Sequence, residues 1–266
     1  MYSTSYHRAS SVAEAATLLT GASDGKYLGG GMTLLPTMKQ RLAAPTDLVD
    51  LTRIPGLSGI EVSGDTVKIG AATTHYTVSS SDAVKSAFPA LAALAGMIGD
   101  PAVRYRGTIG GSLANNDPAA DYPAAALATG ATIHTNKRDI PASDYFQGMF
   151  ATALGEDEII TAVSFPVPAK AAYEKFRNPA SRYALCGVFV AKMKDGSVRV
   201  AATGVGESGV FRVSQIEQAL SANWSPDAAG SVAISPDGIL SDIHGSSAYR
   251  AHLISVCAKR AVASAG

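Results

Sequence analysis

Two glycine-rich stretches are the residues whose types and spacing could do chemistry. In "YLGGGMTLLP", residues 27–36, Gly29, Gly30 and Gly31 stand between a short strand-like lead-in and an apolar run, Leu34 to Met38, of helical character. Glycine costs backbone entropy inside regular structure, so three adjacent ones need a reason. One reading is a loose turn. The other is a loop whose N–H groups, with a helix N-terminus behind them, face a phosphate. The second stretch, residues 99–131, reads "GDPAVRYRGTIGGSLANNDPAADYPAAALATGA" and contains Thr108-Ile109-Gly110-Gly111-Ser112. A polar run follows, then Asp121 ahead of Pro123 and an alanine-rich helix. Alone, Asp121 reads as an N-cap with Pro123 tolerated in the first turn. Together, two Gly loops flanked by hydroxyl residues could clamp a diphosphate from two sides, their backbone donors offsetting its charge without a lysine.

Other motifs fail on inspection. "GASDGKY" resembles a phosphate-binding P-loop but has one residue too few between its glycines, and Tyr27 stands where a hydroxyl should hold magnesium. "GESGV", residues 206–210, suggests a nucleophile elbow with a misplaced second glycine and reads better as a hairpin-end loop. The five histidines are scattered, none at a metal-ligand spacing, and His75 in "TTHYT" reads as a hydrogen-bonded loop or core residue. A dinucleotide fingerprint is a stronger rival. Gly29-x-Gly31 follows a strand, and Asp50 ends the next one about 20 residues on, where a ribose-binding acid would sit. Against it, Leu34 replaces the third glycine, and a helix precedes the first strand.

The elements that must position these loops come from a chain of 266 residues, 47% hydrophobic and 17% charged, which can build sizeable cores and excludes disorder. Lys plus Arg equals Asp plus Glu at 22 each, a balance that argues against nucleic acid or a membrane surface as partner. Cys186 and Cys257 form no CxxC pattern and are too few for an iron–sulfur cluster or thiolate metal site. They read as two buried free thiols in a reducing compartment, with a disulfide the lesser reading. No secretory h-region opens the chain and no apolar run reaches about 18 residues, so a cytoplasmic protein without a membrane span is expected.

Ser11 and Glu14 have capping-box spacing ahead of an apolar stripe, which predicts a helix over residues 11–20. A strand at 26–28, the Gly loop, a helix at 34–41 and a strand at 47–51 complete a compact α/β unit ending near Pro55. From residue 57 the pattern predicts a hairpin about Ser63-Gly64-Asp65, helices broken at Pro89, a loop at "PASDYFQGMF" and a strand at 158–165. Pro166, Pro168 and the Ala/Lys stretch after them read as a linker. A long hairpin turned at Asp195-Gly196 and helices at 214–220 and 246–262 close the chain. The expectation is an α+β protein of three parts, residues 1–55, 56–168 and 169–266.

"LGGGMTLLPTMK" and "VRYRGTIGGSLANNDPAADYPAAALA" resemble the two flavin-binding signatures of the FAD-carrying medium subunits of molybdenum hydroxylases, the aerobic carbon monoxide dehydrogenase and xanthine dehydrogenase family. The likeness extends through "EKFRNPASRYALCGVFVA" and the tail "SDIHGSSAYRAHLISVCAKRAV". It implies two N-terminal FAD-binding α/β subdomains of the vanillyl-alcohol oxidase (PCMH) type and a C-terminal α+β domain, with a small antiparallel sheet and helices, covering the flavin side.

Carried over by position, the resemblance implies noncovalent FAD with its diphosphate wrapped by Leu28, Gly29, Gly30, Gly31, Met32, Thr33 and Leu34. Thr108, Ile109, Gly110, Gly111 and Ser112 would form a second clamp, and Asp121 would stand near the ribityl or ribose hydroxyls. Ile98 and Ile160 would flank the cofactor, and Lys175 would approach the isoalloxazine, unless it is a solvated strand residue. The sequence departs from the family at Met32-Thr33, where His-Ser is usual, and at Ser112, where Asn is usual. Both departures keep the backbone donors and the hydroxyl at Thr33. No catalytic or metal-ligating residue is implied. The molybdenum cofactor and the 2Fe–2S clusters would lie on a large and a small partner subunit, as a dimer of heterotrimers, with FAD relaying electrons to an external acceptor. Arg104 and Arg106 either contact the iron–sulfur subunit, or only brace the loop or neutralise the diphosphate. A stand-alone FAD oxidase or a nicotinamide-dependent dehydrogenase is the alternative. The substrate (carbon monoxide, a purine, an N-heterocycle or an aldehyde) and the acceptor stay open.

Overall fold

In the computed structural model, which describes residues 1–265, three sheets carry the chain. The first uses β1 (Ser5–Arg8), α1 (Val12–Thr20), β2 (Gly25–Leu28), α2 (Leu34–Lys39) and β3 (Asp47–Asp50). The strands lie in the order β1-β3-β2, all parallel. Ser11 caps α1 by accepting the Glu14 N–H at 3.1 Å, and the Glu14 carboxylate turns back to the Ser10 N–H at 2.7 Å, so the box closes one residue earlier than expected. The pattern did not predict β1. Its residues are mostly exposed and polar, so no hydrophobic alternation marks it.

The second sheet, fully antiparallel, runs β4-β5-β10-β6-β7. It consists of β4 (Ile60–Ser63), β5 (Thr66–Gly70), β6 (Thr132–Thr135), β7 (Asp139–Pro141) and β10 (Ile160–Pro166). Between β5 and β6 run α3 (His75–Ser80), α4 (Asp82–Ala87), α5 (Pro89–Gly96), α6 (Pro101–Arg106), α7 (Ile109–Asn115) and α8 (Tyr122–Thr129). Pro89 opens α5, as its fixed φ and missing N–H favour. The segment expected to be a loop holds α9 (Ala142–Tyr145) and a small hairpin, β8 (Phe146–Gly148) with β9 (Ala151–Thr152). Buried Asn116 anchors that hairpin by donating to the Gly148 and Ala151 carbonyls, each at 2.8 Å.

The third sheet, antiparallel β11-β12-β13-β14, comprises β11 (Lys170–Arg177), β12 (Ala184–Lys192), β13 (Val198–Thr203) and β14 (Phe211–Arg212). With it come α10 (Ser214–Ala222), α11 (Pro226–Gly230) and α12 (Ser247–Ser264). Strand β11 corrects the linker reading: the Ala/Lys stretch pairs with β12 from Lys170↔Lys192 onward. One face of this sheet, with Tyr173, Phe189 and Ala201, joins the core of the second sheet and α8. The other, with Ala172, Val188, Val190 and Val200, packs on α10 and α12. Burial on both faces explains why β12 is a continuous apolar run rather than an alternating one. Cys186 and Cys257 are free and buried in this second core. Residues 206–210 form the loop between β13 and β14, as expected. No helix among the described residues is long and apolar enough to cross a membrane.

Candidate cofactor-binding site

Strand β2 delivers its chain into the glycine triplet, and α2 starts only after Gly31, whose φ of +72° is the left-handed conformation that favours glycine. Leu35 N–H closes the first helical turn on the Gly31 carbonyl at 3.1 Å. The N–H groups of Gly29, Gly30, Gly31, Met32, Thr33 and Leu34 donate to no acceptor among the described residues. Thr33, half of the expected hydroxyl pattern, makes no capping bond and is exposed. Six consecutive amides without a partner inside the protein have the donors that an anion would need.

The second glycine stretch differs from its expectation as a loop. Thr108 caps α7, its Oγ1 accepting the Gly111 N–H at 3.1 Å, and Ile109 to Asn115 are helical. Ile109 N–H donates to the Thr73 carbonyl at 3.1 Å, Gly110 N–H to the Ala71 carbonyl at 2.8 Å and Ser112 N–H to the Thr108 carbonyl at 3.0 Å. The N–H groups of Ile109 to Ser112 expected here are therefore used inside the protein. Ile109 itself is fully buried in the core and does not face the cleft.

The two stretches nonetheless touch. A Cβ on Gly30 would lie 1.9 Å from the Arg106 carbonyl oxygen and 2.6 Å from Gly107 Cα, so only glycine fits. A Cβ on Gly29 would meet Thr108 Oγ1 at 3.0 Å and Gly111 Cα at 3.9 Å. They wall a cleft of about 700 Å³, within the range of small-molecule and cofactor sites. Leu28 to Leu34, Ile98, Thr108, Gly110, Gly111, Ser112, Asp121, Ile160 and Lys175 all line it.

Asp121 precedes α8 but does not cap it. Its buried carboxylate instead accepts from Tyr173 Oη at 2.6 Å and from Lys175 Nζ at 2.9 Å, and Lys175 also donates to the Met97 carbonyl at 3.2 Å. The side chains of Lys175 and Asp121 are 1% and 5% exposed, which rules out the solvated-strand reading of Lys175. Burial pushes the Asp121 carboxyl up, while the ammonium and the tyrosine hydroxyl pull it back. The cleft wall thus presents a neutralised ion pair rather than a free cation.

Further lining residues carried no motif. His75 is buried, and its imidazole is held down to about 4 by burial and then by the Arg104 cation. Glu158 is held down to about 2, first by its hydrogen bond with Arg138, with Gly155 N–H and Thr135 adding to it. Tyr183, from the β11–β12 turn, also faces the cleft. Each reaches the site through tertiary folding, and no local pattern in the sequence marks them. Arg104 donates to the Ile98 and Gly99 carbonyls at 3.0 and 3.1 Å, which makes it a brace of the cleft wall. Arg106 is exposed, and neighbouring Tyr105 stacks on Tyr76 at 4.1 Å. No cluster of three or more candidate metal ligands occurs among the described residues.

A donor-lined cleft at the junction of three sheets defines a nucleotide-cofactor-binding protein of mixed α and β structure. Residues 2–168 match the family described as the FAD binding domain in molybdopterin dehydrogenase, and the chain belongs to that family, as an FAD-binding oxidoreductase subunit of the molybdenum hydroxylases. Over 275 residues it is 37% identical to the nicotine 6-hydroxylase medium subunit of Paenarthrobacter nicotinovorans, covering 98% of this chain and 96% of that one. It is 36% identical to the carbon monoxide dehydrogenase medium chain of Hydrogenophaga pseudoflava, covering 97% and 95%. Among solved structures it is similar to reconstituted CO dehydrogenase from Oligotropha carboxidovorans, with a TM-score of 0.89, 34% identity and coverage of 98% and 96%. Quinoline 2-oxidoreductase from Pseudomonas putida 86 gives 0.87 at 28% identity, with the same coverage. FAD fits the site on structural grounds: unspent amides suit its diphosphate, and the Gly30 contact leaves no side chain in the cradle.

Proposed function

We propose that the chain is the FAD-carrying electron-transfer subunit of a molybdenum-dependent hydroxylase or dehydrogenase, serving a 2Fe–2S partner on one side and an external acceptor on the other. The run of free N–H groups from Gly29 to Leu34 carries this reading. Those amides hold the diphosphate, with Leu28 beneath them, and Thr33 adds its hydroxyl. Thr108, Gly110, Gly111 and Ser112 form the opposite wall, where the absence of side chains on the glycines gives close approach and the Ser112 and Thr108 hydroxyls give polarity. Ile98 and Ile160 exclude water from the bound ring system, and the Asp121–Lys175 pair fixes the wall beside it. When bound, FAD supplies the redox chemistry. No acid–base pair of the chain is required.

The same proposal divides the chain into FAD-binding parts at 1–55 and 56–168, of the vanillyl-alcohol oxidase type, and an α+β part at 169–266. Its partners are a large molybdenum subunit and a small iron–sulfur subunit, as a dimer of heterotrimers. Relatives named as medium subunits or chains over nearly their whole length support that company. Two free buried thiols accord with a cytoplasmic location. The test is purification of the chain from its native source. Co-purifying molybdenum and iron are expected, whereas an isolated chain that oxidises substrate unaided would establish the stand-alone oxidase instead. Arg106→Glu is expected to weaken assembly and spare FAD, because its side chain is exposed, whereas Arg104→Glu loses FAD by releasing residues 98–99.

A further inference from the structure

His75 belongs to neither glycine motif, yet the fold sets it at their junction. Its backbone N–H donates to the Gly107 carbonyl at 2.9 Å, and Thr74 caps the short helix behind it by accepting the Thr77 N–H at 3.2 Å. The ring lies 5.4 Å from that of Tyr122 on one side. On the other it rests against Gly107, where a Cβ would come within 2.6 Å of Nε2. Gly107 Cα is in turn the atom that a Cβ on Gly30 would meet at 2.6 Å. His75, Gly107 and Gly30 therefore form a continuous contact under the loop of unspent amides.

The residue is 4% exposed and lines the cleft, Nδ1 is buried without a partner, and neither ring nitrogen makes a hydrogen bond among the described residues. Nδ1 is fully buried, whereas Nε2 lies against Gly107, which itself lines the cleft. A nitrogen left without a partner at the wall of a binding cleft is available to a ligand, and leaving its bond unmade is costly. The ring is neutral at physiological pH because burial and the Arg104 cation hold its proton affinity down. A neutral imidazole donates from one nitrogen only, and an anionic acceptor at Nε2 selects the tautomer with its proton there.

We propose that His75 is an additional cofactor-binding residue, donating Nε2–H to a phosphoryl oxygen of the FAD diphosphate where the two glycine stretches meet. This rests on the FAD reading of the cleft. The contact joins the second region's α3 to the anion held by the first region's loop, so cofactor binding ties the two together.

The test is calorimetric titration of the apo-chain with FAD and with ADP, for the parent, His75→Gln and His75→Phe. Glutamine keeps a donor near the Nε2 position and phenylalanine keeps only the ring. The expected result is a loss of about tenfold or more in FAD affinity for His75→Phe, a matching loss for ADP, and recovery of most of it in His75→Gln. In the FAD-bound parent, 15N spectra of labelled histidines should show the Nε2 signal of His75 in the protonated-nitrogen range and Nδ1 in the unprotonated range. That reading stands even if a variant folds poorly. Equal FAD affinity in the parent and a folded His75→Phe, or an unprotonated Nε2 in the FAD complex, overturns the proposal. Weakened FAD with unchanged ADP overturns the assignment to the diphosphate. A parent that binds no FAD refutes the cofactor reading itself.

Discussion

The two glycine stretches look alike in sequence and do opposite things with their backbone. From Gly29 to Leu34 the amides are unspent, while from Ile109 to Ser112 they are bonded to Thr73, Ala71 and Thr108. Glycine serves the first stretch by giving Gly31 its positive φ and letting Gly30 lie on the Arg106 carbonyl. In the second it leaves Gly111 bare on the cleft side of a capped helix, where a Cβ would meet only Thr108 Oγ1, at 3.0 Å. Donors for an anion are therefore left only on the first stretch from Gly29 to Leu34, while those of Ile109 to Ser112 are spent inside the protein. Glycine content alone does not distinguish a donor loop from a packing surface. The fate of each N–H does.

Valine substitutions sharpen that contrast most. Gly30→Val forces residues 29–31 away from Arg106, so both flavin retention and the local fold should fail, read as visible absorbance per chain and as a lowered urea midpoint. Gly111→Val should lose flavin while unfolding within about 1 kcal/mol of the parent, since the helix tolerates a β-branched residue at modest cost. Gly111→Val retaining flavin at parental affinity would remove the second stretch from the site.

The Asp121–Lys175 pair comes next. Lys175→Met leaves a buried carboxylate uncompensated and should cost about 3–5 kcal/mol in urea unfolding, with Asp121→Asn added to it recovering much of the loss. Because the pair is net neutral, substituting both residues should shift the flavin midpoint potential little, in contrast to the free cation implied by position in the sequence. A large shift in the double variant would restore that earlier role.

The smallest effect concerns Glu158 on the cleft wall. Its folded value, about 2, lies below the ordinary 4.5. The ionised carboxylate therefore contributes fully above pH 4.5, and that contribution is lost as pH falls toward 2. Glu158→Gln should be less stable at neutral pH and show a flatter decline over that window, measured by thermal unfolding against pH.

Much of this was legible in the sequence because the signals are local. The Ser11 cap, the hairpin about Gly64 and the Pro89 break each rest on neighbours a few residues apart. Strand β1 escaped because its Tyr6 and Arg8 are polar-edged and exposed, and β11 because an inward lysine disrupts its alternation. Lys175 makes sense only once Asp121, far away in sequence, is placed opposite it. His75 and Glu158 reach the cleft through sheet packing, which no spacing encodes.

The central claim is that the unspent amides of residues 29–34 hold FAD. Its most direct test is the absorption spectrum of the gel-filtered chain after reconstitution with excess FAD, followed by acid precipitation. Flavin bands at one FAD per chain are expected, with all flavin released into the supernatant, as a noncovalent site requires. A colourless chain, or flavin that stays with the precipitate, would contradict it.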